Sequence, residues 1–344
     1  MTAPLIQIAR QNQSWQRELA RAFTDPRELL DYLELDRAPF AAGLAAGELF
    51  AMRVPRPFAA RMSKGDPDDP LLRQVLPIVD EFAEAPGFVT DPLVEQGAAL
   101  PGLLHKYRSR VLLILRGGCA INCRYCFRRH FPYGEHGLGE AALRRVVDYI
   151  RARPEVTEVI LSGGDPLVAK DEQLAALIEA MSELPQLRRL RIHTRLPITI
   201  PSRITPMLVS LLGGAPWPTI VVFHINHARE IDDAVGRAIA PLRAAGVTLL
   251  NQSVLLAGVN DRLGDLAELS ERLFAVGVLP YYLHLLDRVA GAAHFEVSEA
   301  RALSLVRGLL GELPGFLVPR LVREIGGEAS KVPIDLRVLS ATDV

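Results

Sequence analysis

Gly117-Gly118-Cys119-Ala120-Ile121-Asn122-Cys123-Arg124-Tyr125-Cys126-Phe127-Arg128-Arg129 holds all three cysteines of this 344-residue chain, spaced Cys-x3-Cys-x2-Cys. It follows directly on the apolar run Val111-Leu112-Leu113-Ile114-Leu115, which has the length and composition of a buried strand. Thiolates bind soft metals, and close spacing lets one loop wrap one centre. An iron–sulfur cube is ordinarily held by four cysteines, so three leave one iron open to a small molecule. The odd count and the lack of a secretory context argue against a disulfide. A zinc site recruiting His130 is the alternative, but no second half of a zinc pattern accompanies it.

Outward from the loop, toward the C-terminus, a strand–helix rhythm sets in. Apolar strands are expected at 111–115, 156–161, 188–193, 219–225, 248–256 and 280–286, with amphipathic stretches such as 140–153 and 228–245 between them. Six such units in succession specify an α/β fold with a parallel sheet and helices outside. A closed eight-unit barrel needs more chain than remains, so a partial (β/α)6 barrel is expected. A final strand at 317–324 either extends the wall or covers its mouth.

Toward the N-terminus, residues 1–105 read as a mostly helical region ahead of a core spanning 106–344. Trp15, Leu19 and Phe23 fall four apart on one face. Asp25-Pro26 restarts the chain as N-cap and first helical residue, and Leu29, Leu30 and Leu33 carry that helix inward. The stretch from Val54 to Pro77, rich in proline and aspartate, is expected to be extended and on the surface. This region reads as scaffold and oligomer surface around a catalytic core.

Hydrophobic residues make up 49% of the chain, enough for a large core, and the net charge is −1 with no basic block, so nucleic-acid binding gains no support. Met1-Thr2-Ala3-Pro4-Leu5-Ile6-Gln7 lacks a signal-peptide layout, and no apolar run is long enough for a bilayer. Free cysteines without an export signal point to the reducing cytoplasm. Only Lys64, Lys106, Lys170 and Lys331 are lysines among 39 basic residues. Where arginine supplies generic charge, a lysine is a candidate for amine chemistry.

In barrels of this kind the chemistry sits at the C-terminal ends of the strands. After the second strand comes Leu161-Ser162-Gly163-Gly164-Asp165-Pro166-Leu167, where paired glycines allow close backbone approach, although Gly-Gly alone is equally a simple turn. The later ends carry His193-Thr194-Arg195, His224-Ile225-Asn226-His227, Asn251-Gln252-Ser253 and His284-Leu285-Leu286-Asp287. His224 is a candidate cofactor contact; His284 and His294 read as structural. Lys64 lies in the Pro/Asp-rich stretch, Lys170 begins an exposed helix, and Lys106, just before the barrel, is placed for a phosphate.

The cysteine spacing with its following aromatic residue resembles the radical S-adenosylmethionine (SAM) enzymes. That resemblance implies a [4Fe-4S] cluster on Cys119, Cys123 and Cys126 whose free iron chelates SAM. It also implies that Ser162, Gly163, Gly164 and Asp165 form the motif beside the SAM amino group. Arg110-Val111-Leu112-Leu113, Cys126-Phe127-Arg128-Arg129, Asn251-Gln252-Ser253-Val254-Leu255-Leu256, Tyr281-Tyr282-Leu283 and Gly326-Gly327-Glu328-Ala329-Ser330-Lys331-Val332-Pro333 narrow it. Together, over roughly residues 50–335, they resemble the lysine 2,3-aminomutase family.

The narrower resemblance implies pyridoxal phosphate (PLP) held by Lys331 as a Schiff base. It implies Arg110 and Gln252 on the PLP phosphate, with Ser253 or Asn251 contributing. Arg128 would clamp the substrate α-carboxylate, and Asp287 and Glu324 would hold the ε-ammonium. Glu324 departs from the aspartate expected there. The chain ends at Val344 with no cysteine after Cys126, unlike the longer catabolic members. That short form, the Trp15 helix and Arg323-Glu324-Ile325-Gly326-Gly327-Glu328 resemble the aminomutases of elongation factor P β-lysylation. This resemblance implies an isomerase converting L-lysine to β-lysine, linked to elongation factor P and its β-lysine ligase. The alternatives are an aminomutase for arginine or ornithine, or an iron–sulfur redox protein without PLP.

Overall fold

Period-2 strands meeting period-3.6 helices build the molecule. The computed structural model describes residues 14–95, 97, 99–133 and 138–336. Residues 1–13 of the expected helical region, the Met1–Gln7 stretch among them, and 337–344 of the expected core lie outside the described residues. Nine strands form one sheet in sequence order: β1 (Leu103–Tyr107), β2 (Arg110–Arg116), β3 (Glu158–Gly163), β4 (Arg189–Thr194), β5 (Thr219–His224), β6 (Thr248–Val254), β7 (Leu279–His284), β8 (Arg320–Arg323) and β9 (Val332–Pro333). β2 to β8 run parallel, and β1 and β9 are antiparallel flaps on the two edges.

The expected final strand at 317–324 therefore joins the wall, as β8. β1 crosses residue 105, where the sequence reading ended its helical region. Helices α1 (Glu140–Arg151), α2 (Asp171–Ser182), α3 (Pro206–Gly213), α4 (Asp233–Ala244), α5 (Leu263–Ala275) and α6 (Glu299–Glu312) fill the six connections. This is the partial (β/α)6 architecture of the sequence reading. The expected helix at 228–245 is split, because Asp232 caps α4 through Val235 N (2.8 Å) and leaves Ala228–Glu230 as a separate turn. No helix of the described residues is long and apolar enough to cross a membrane.

The main core lies between sheet and helices. Val111, Leu113, Val159, Leu161, Ile192, Val221 and Phe223 meet Val146, Ile150, Leu177, Ile239 and Leu242 there. Trp15, in the helix Ser14–Ala20, joins this core, with the Arg203 guanidinium 4.9 Å from its ring. Phe23 lies beyond that helix and pairs with Val54 as an isolated bridge. Asp25 caps the next helix (Arg27 N donates at 2.8 Å) with Pro26 at its start, as its sequence requires.

The Val54–Pro77 stretch corrects its reading as extended and surface-lying. It contains the helical turns Arg56–Ala59 and Pro70–Arg73, and buries Val54, Phe58, Leu71, Leu72 and Val75 in a second core. Its prolines start short helices rather than preventing them: Asp69 caps Leu71 and Leu72 ahead of Pro70. That second core also takes in Ile121 of the cysteine loop.

Candidate active site

Side chains of alternate strand residues point to the barrel interior, where a cavity of 330 Å3 opens at the C-terminal strand ends. Cys119, Cys123, Cys126, Arg110, Arg128, Ser162, Gly163, Gly164, Asp165, His224, Gln252, Asp287, Glu324 and Lys331 all line it. Asn251 and Ser253 do not. On β6, Gln252 and Val254 face the cavity, whereas Asn251 and Ser253 face the other way. Asn251 Nδ2 donates to Ser253 Oγ (2.9 Å), and Ser253 Oγ donates to Ile225 O (2.7 Å). The expected contact from Ser253 to a phosphate is thus not available in this register.

The N-terminal region holds the cysteine loop by its main chain. Asn122 N donates to Arg53 O (3.1 Å), Arg124 N to Gln74 O (2.9 Å), and Asn122 Nδ2 to Ala51 O (2.8 Å). Beneath it lies a buried triad. Glu81 accepts from Arg124 Nε (2.8 Å) and Nη2 (2.6 Å) and from Arg129 Nη2 (2.7 Å). On the other side the loop meets the Gly-Gly turn. Gly164 N donates to Arg116 O and Asp165 N to Gly118 O, each at 3.0 Å, and a Cβ on Gly164 would lie 2.5 Å from Gly118 O. The second glycine is therefore required by the approach of one loop to the other. Gly163 has φ +105°, in the region that favours glycine.

Asp165 spends its carboxylate on the next loop. It accepts from Leu167 N, Thr194 Oγ1, Arg195 N and Leu196 N within 3.0 Å. It fixes the β3 and β4 ends relative to one another.

The cysteines fit a cube. They line one cavity, yet among the described residues no three His, Cys, Asp or Glu side chains converge as ligands of a single ion. A cube takes each thiolate at a different iron. His130 Nε2 instead approaches Ala290 O (3.4 Å), so the zinc alternative gains nothing. Burial pushes the Cys126 thiol up to about 11 and Cys119 well above its usual value; a bound metal displaces such protons.

Arg195 Nη1 donates to Cys123 Sγ (2.8 Å) and Tyr125 Oη (2.6 Å), and its Nη2 to Gln74 Oε1 (2.6 Å) and Glu230 Oε2 (2.9 Å). His224 Nε2 lies 2.9 Å from Tyr125 Oη. Burial, then the Arg195 charge, lower His224 to about 3, so it is a neutral imidazole.

From Arg128, two residues past Cys126, charged side chains form a chain of alternating sign along the cavity. Glu95 accepts from Arg128 Nε (2.6 Å) and Nη2 (3.0 Å), and pairs with Lys106 Nζ (2.7 Å). Lys106 Nζ also reaches Glu324 Oε1 (3.5 Å), and Glu324 pairs with Lys331. Tyr107 Oη donates to Glu324 at 3.1 Å. Lys106 is thus committed to two carboxylates, which corrects its reading as a phosphate ligand.

Burial works to raise Glu324, but Lys331 and Lys106 outweigh it and bring it to about 2. Burial, reinforced by Glu324, pushes Asp287 up to about 7.

Sequence reasoning missed Glu95, Lys106 in this role, and two of the three histidines of the interior. His193 and His284 both line the cavity, with their Nε2 atoms buried and unpartnered. His284, expected to be structural, thus faces the cavity. Register held the signal for His193, two residues from Arg191 on the inward face of β4. Nothing periodic marks Glu95, which lies on a turn ahead of β1.

The radical SAM superfamily model matches residues 113–269, a domain that implies a [4Fe-4S] cluster and SAM. The L-lysine 2,3-aminomutase of Escherichia coli (strain K12) is 55% identical over 327 residues, covering 95% of this chain and 96% of that protein. That of Haemophilus influenzae is 50% identical over 329 residues, covering 95% and 97%. That of Clostridium subterminale is 34% identical over 322 residues, covering 93% of this chain and 77% of its own. Identity at this level, running through nearly the whole of the first two relatives, means that this chain belongs to the lysine 2,3-aminomutase family.

Proposed function

We propose that this chain is an isomerase that moves the amino group of L-lysine from the α to the β carbon, with Lys331 as the PLP lysine. One observation carries the reading: the Lys331 amine and the three cysteines line the same cavity. When bound, the cluster and SAM supply a 5′-deoxyadenosyl radical that takes and returns a hydrogen atom, and PLP supplies the carbon that carries the migrating nitrogen.

The chain's own residues bind, orient and exclude water. Arg128 offers a guanidinium fork for the α-carboxylate. Asp287 and Glu324 offer carboxylates to the ε-ammonium, and a buried cation needs such partners. Arg110 and Gln252 line the cavity from β2 and β6 and supply a cation and an amide for the PLP phosphate. Leu112, Ile160, Val254 and Leu286 give the cavity an apolar lining that keeps water from a radical.

Resemblance of the Trp15 helix and of residues 323–328 to the aminomutases of elongation factor P β-lysylation supports a further step. The product is (R)-β-lysine in the cytoplasm, handed to the ligase that modifies elongation factor P. The acidic pair also leaves room for a second reading. Glu324 is one methylene longer than the expected aspartate, so its carboxylate can reach the ammonium of a shorter substrate, which favours ornithine as a rival.

Anaerobically reconstituted protein given SAM, PLP and dithionite should convert L-lysine to β-lysine faster than it converts ornithine or arginine. Unchanged lysine would refute the main reading, and faster turnover of ornithine would establish the rival.

A further inference from the structure

Arg128 is the residue assigned above to the substrate carboxylate, yet it already carries a carboxylate. Glu95 takes its side edge through Nε (2.6 Å) and Nη2 (3.0 Å). The end of the fork is held only loosely: Nη1 lies 3.3 Å from both Ser162 Oγ and Gly163 O. A guanidinium has five N–H donors, so a second carboxylate can still bind end-on from the cavity.

The charges are arranged for this. Glu95 alone would cancel Arg128 and repel an incoming carboxylate. Lys106 Nζ, 2.7 Å from Glu95 Oε1, neutralises it and leaves the trio with one net positive charge. Glu95 is itself built into place. Its N–H donates to Asp91 Oδ1 (3.0 Å), and the preceding Val94 adopts φ +53°, a left-handed conformation that a β-branched residue rarely holds. Gly326, ahead of Lys331, packs on this turn so closely that a Cβ there would lie 2.8 Å from Val94 Cγ2.

We propose that Glu95 is the positioning residue of the substrate-carboxylate clamp. It locks the side edge of Arg128 so that the end of the fork faces the cavity, while Lys106 keeps its charge from opposing the substrate. The inference rests on the reading of Arg128 under Proposed function.

The test compares L-lysine with 1,5-diaminopentane, which has both amines but no carboxylate, binding to the cofactor-loaded protein without reductant. Arg128→Met should abolish the preference for lysine; an unchanged preference would sink the reading of Arg128 and this inference with it. Given that loss, Glu95→Gln should weaken lysine about tenfold and leave diaminopentane within about twofold. In turnover, KM should rise by a similar factor with kcat little changed, and Glu95→Asp should recover part of the loss. Lys106→Met should weaken lysine in the same direction, which keeps the test open if Glu95→Gln misfolds. Equal weakening of both ligands would reduce Glu95 to a structural part. Tighter lysine binding would make it a competitor, and no change would make it irrelevant; each outcome overturns the proposal.

Discussion

Replacing Glu81 by glutamine tests how the N-terminal region holds the cysteine loop. The Glu81 and Arg124 side chains are 0% exposed and that of Arg129 is 1% exposed. The triad carries two positive charges and one negative, and the substitution removes the negative one. Deleting one partner of a buried pair costs about 3–5 kcal/mol, because the charge left behind stays desolvated.

Here the remainder is partly compensated. Arg124 keeps Phe50 O (2.5 Å) and Ala46 O (3.2 Å), and Arg129 keeps Arg124 O (3.1 Å) and Gly291 O (3.2 Å). The lower end, about 3 kcal/mol, is therefore expected, out of a typical total of about 5–15 kcal/mol. That is roughly a hundredfold in the unfolding constant. Because Arg124 and Arg129 flank Cys126, the loss should reach the metal site. Urea unfolding followed by circular dichroism, with iron and sulfide counted per chain after gel filtration, measures both. A variant within about 1 kcal/mol of the parent that keeps its full iron content would refute the reasoning, since a loop held by this triad cannot ignore its charge.

Lys331→Ala should abolish the visible absorbance of covalently held PLP, and a covalent PLP adduct surviving in the variant's mass spectrum would move that role elsewhere. Gln252→Ala should weaken PLP binding about tenfold, while Ser253→Ala should leave it unchanged and cost about 1 kcal/mol of stability from its buried hydrogen bonds. A PLP titration showing the reverse order would mean that the β6 register is misread. Asp287 has a folded pKa of about 7, above its unfolded value. Its contribution to stability is therefore present at acid pH and lost as pH rises through about 7. Binding an ammonium favours its ionised form, so lysine binding should release a proton at pH 6 that Asp287→Asn does not release. Calorimetry in buffers of different ionisation enthalpy reads this, and equal proton release from both proteins would clear Asp287 of the role.

Much of the sheet was legible because β2, β3 and β5 carry apolar runs bounded by polar strand ends, and buried parallel strands need such runs. Val111–Leu115 and 219–225 needed no tertiary information. β1 and β9 were not legible. His105-Lys106-Tyr107 and Val332-Pro333 carry no apolar run and exist as strands only because an edge was available for pairing. In the site, residues inside motifs were found by the motif, and side-chain direction was then decided by a register no motif states. Gln252 and Ser253 are neighbours in one motif and face opposite ways. Glu95 lay beyond reach for another reason. Its partners Arg128, from the cysteine loop, and Lys106, from β1, are brought to it only when the barrel curls, and no local pattern encodes that approach.

That curling explains why so many charges gather on one side of the cavity. A sheet that stops short of closure leaves two edges with unpaired main-chain groups. β1 and β9 each pair back onto their own side, and among the described residues neither bonds the other. What spans the gap is side chain: Lys106 and Tyr107 from β1 meet Glu324 beyond β8, and Glu324 meets Lys331 just before β9. A ladder of backbone hydrogen bonds would close this seam permanently. Exchangeable ion pairs close it while letting each member take another partner. Glu324 can release Lys331 and accept an ammonium while Lys106 and Tyr107 still hold it in place. The lysine proposed to carry PLP thus sits just before the shortest strand of the described residues, against the most adaptable part of the wall. There the amine must reach the cavity and later leave its first partner, which a fully hydrogen-bonded barrel edge would hinder.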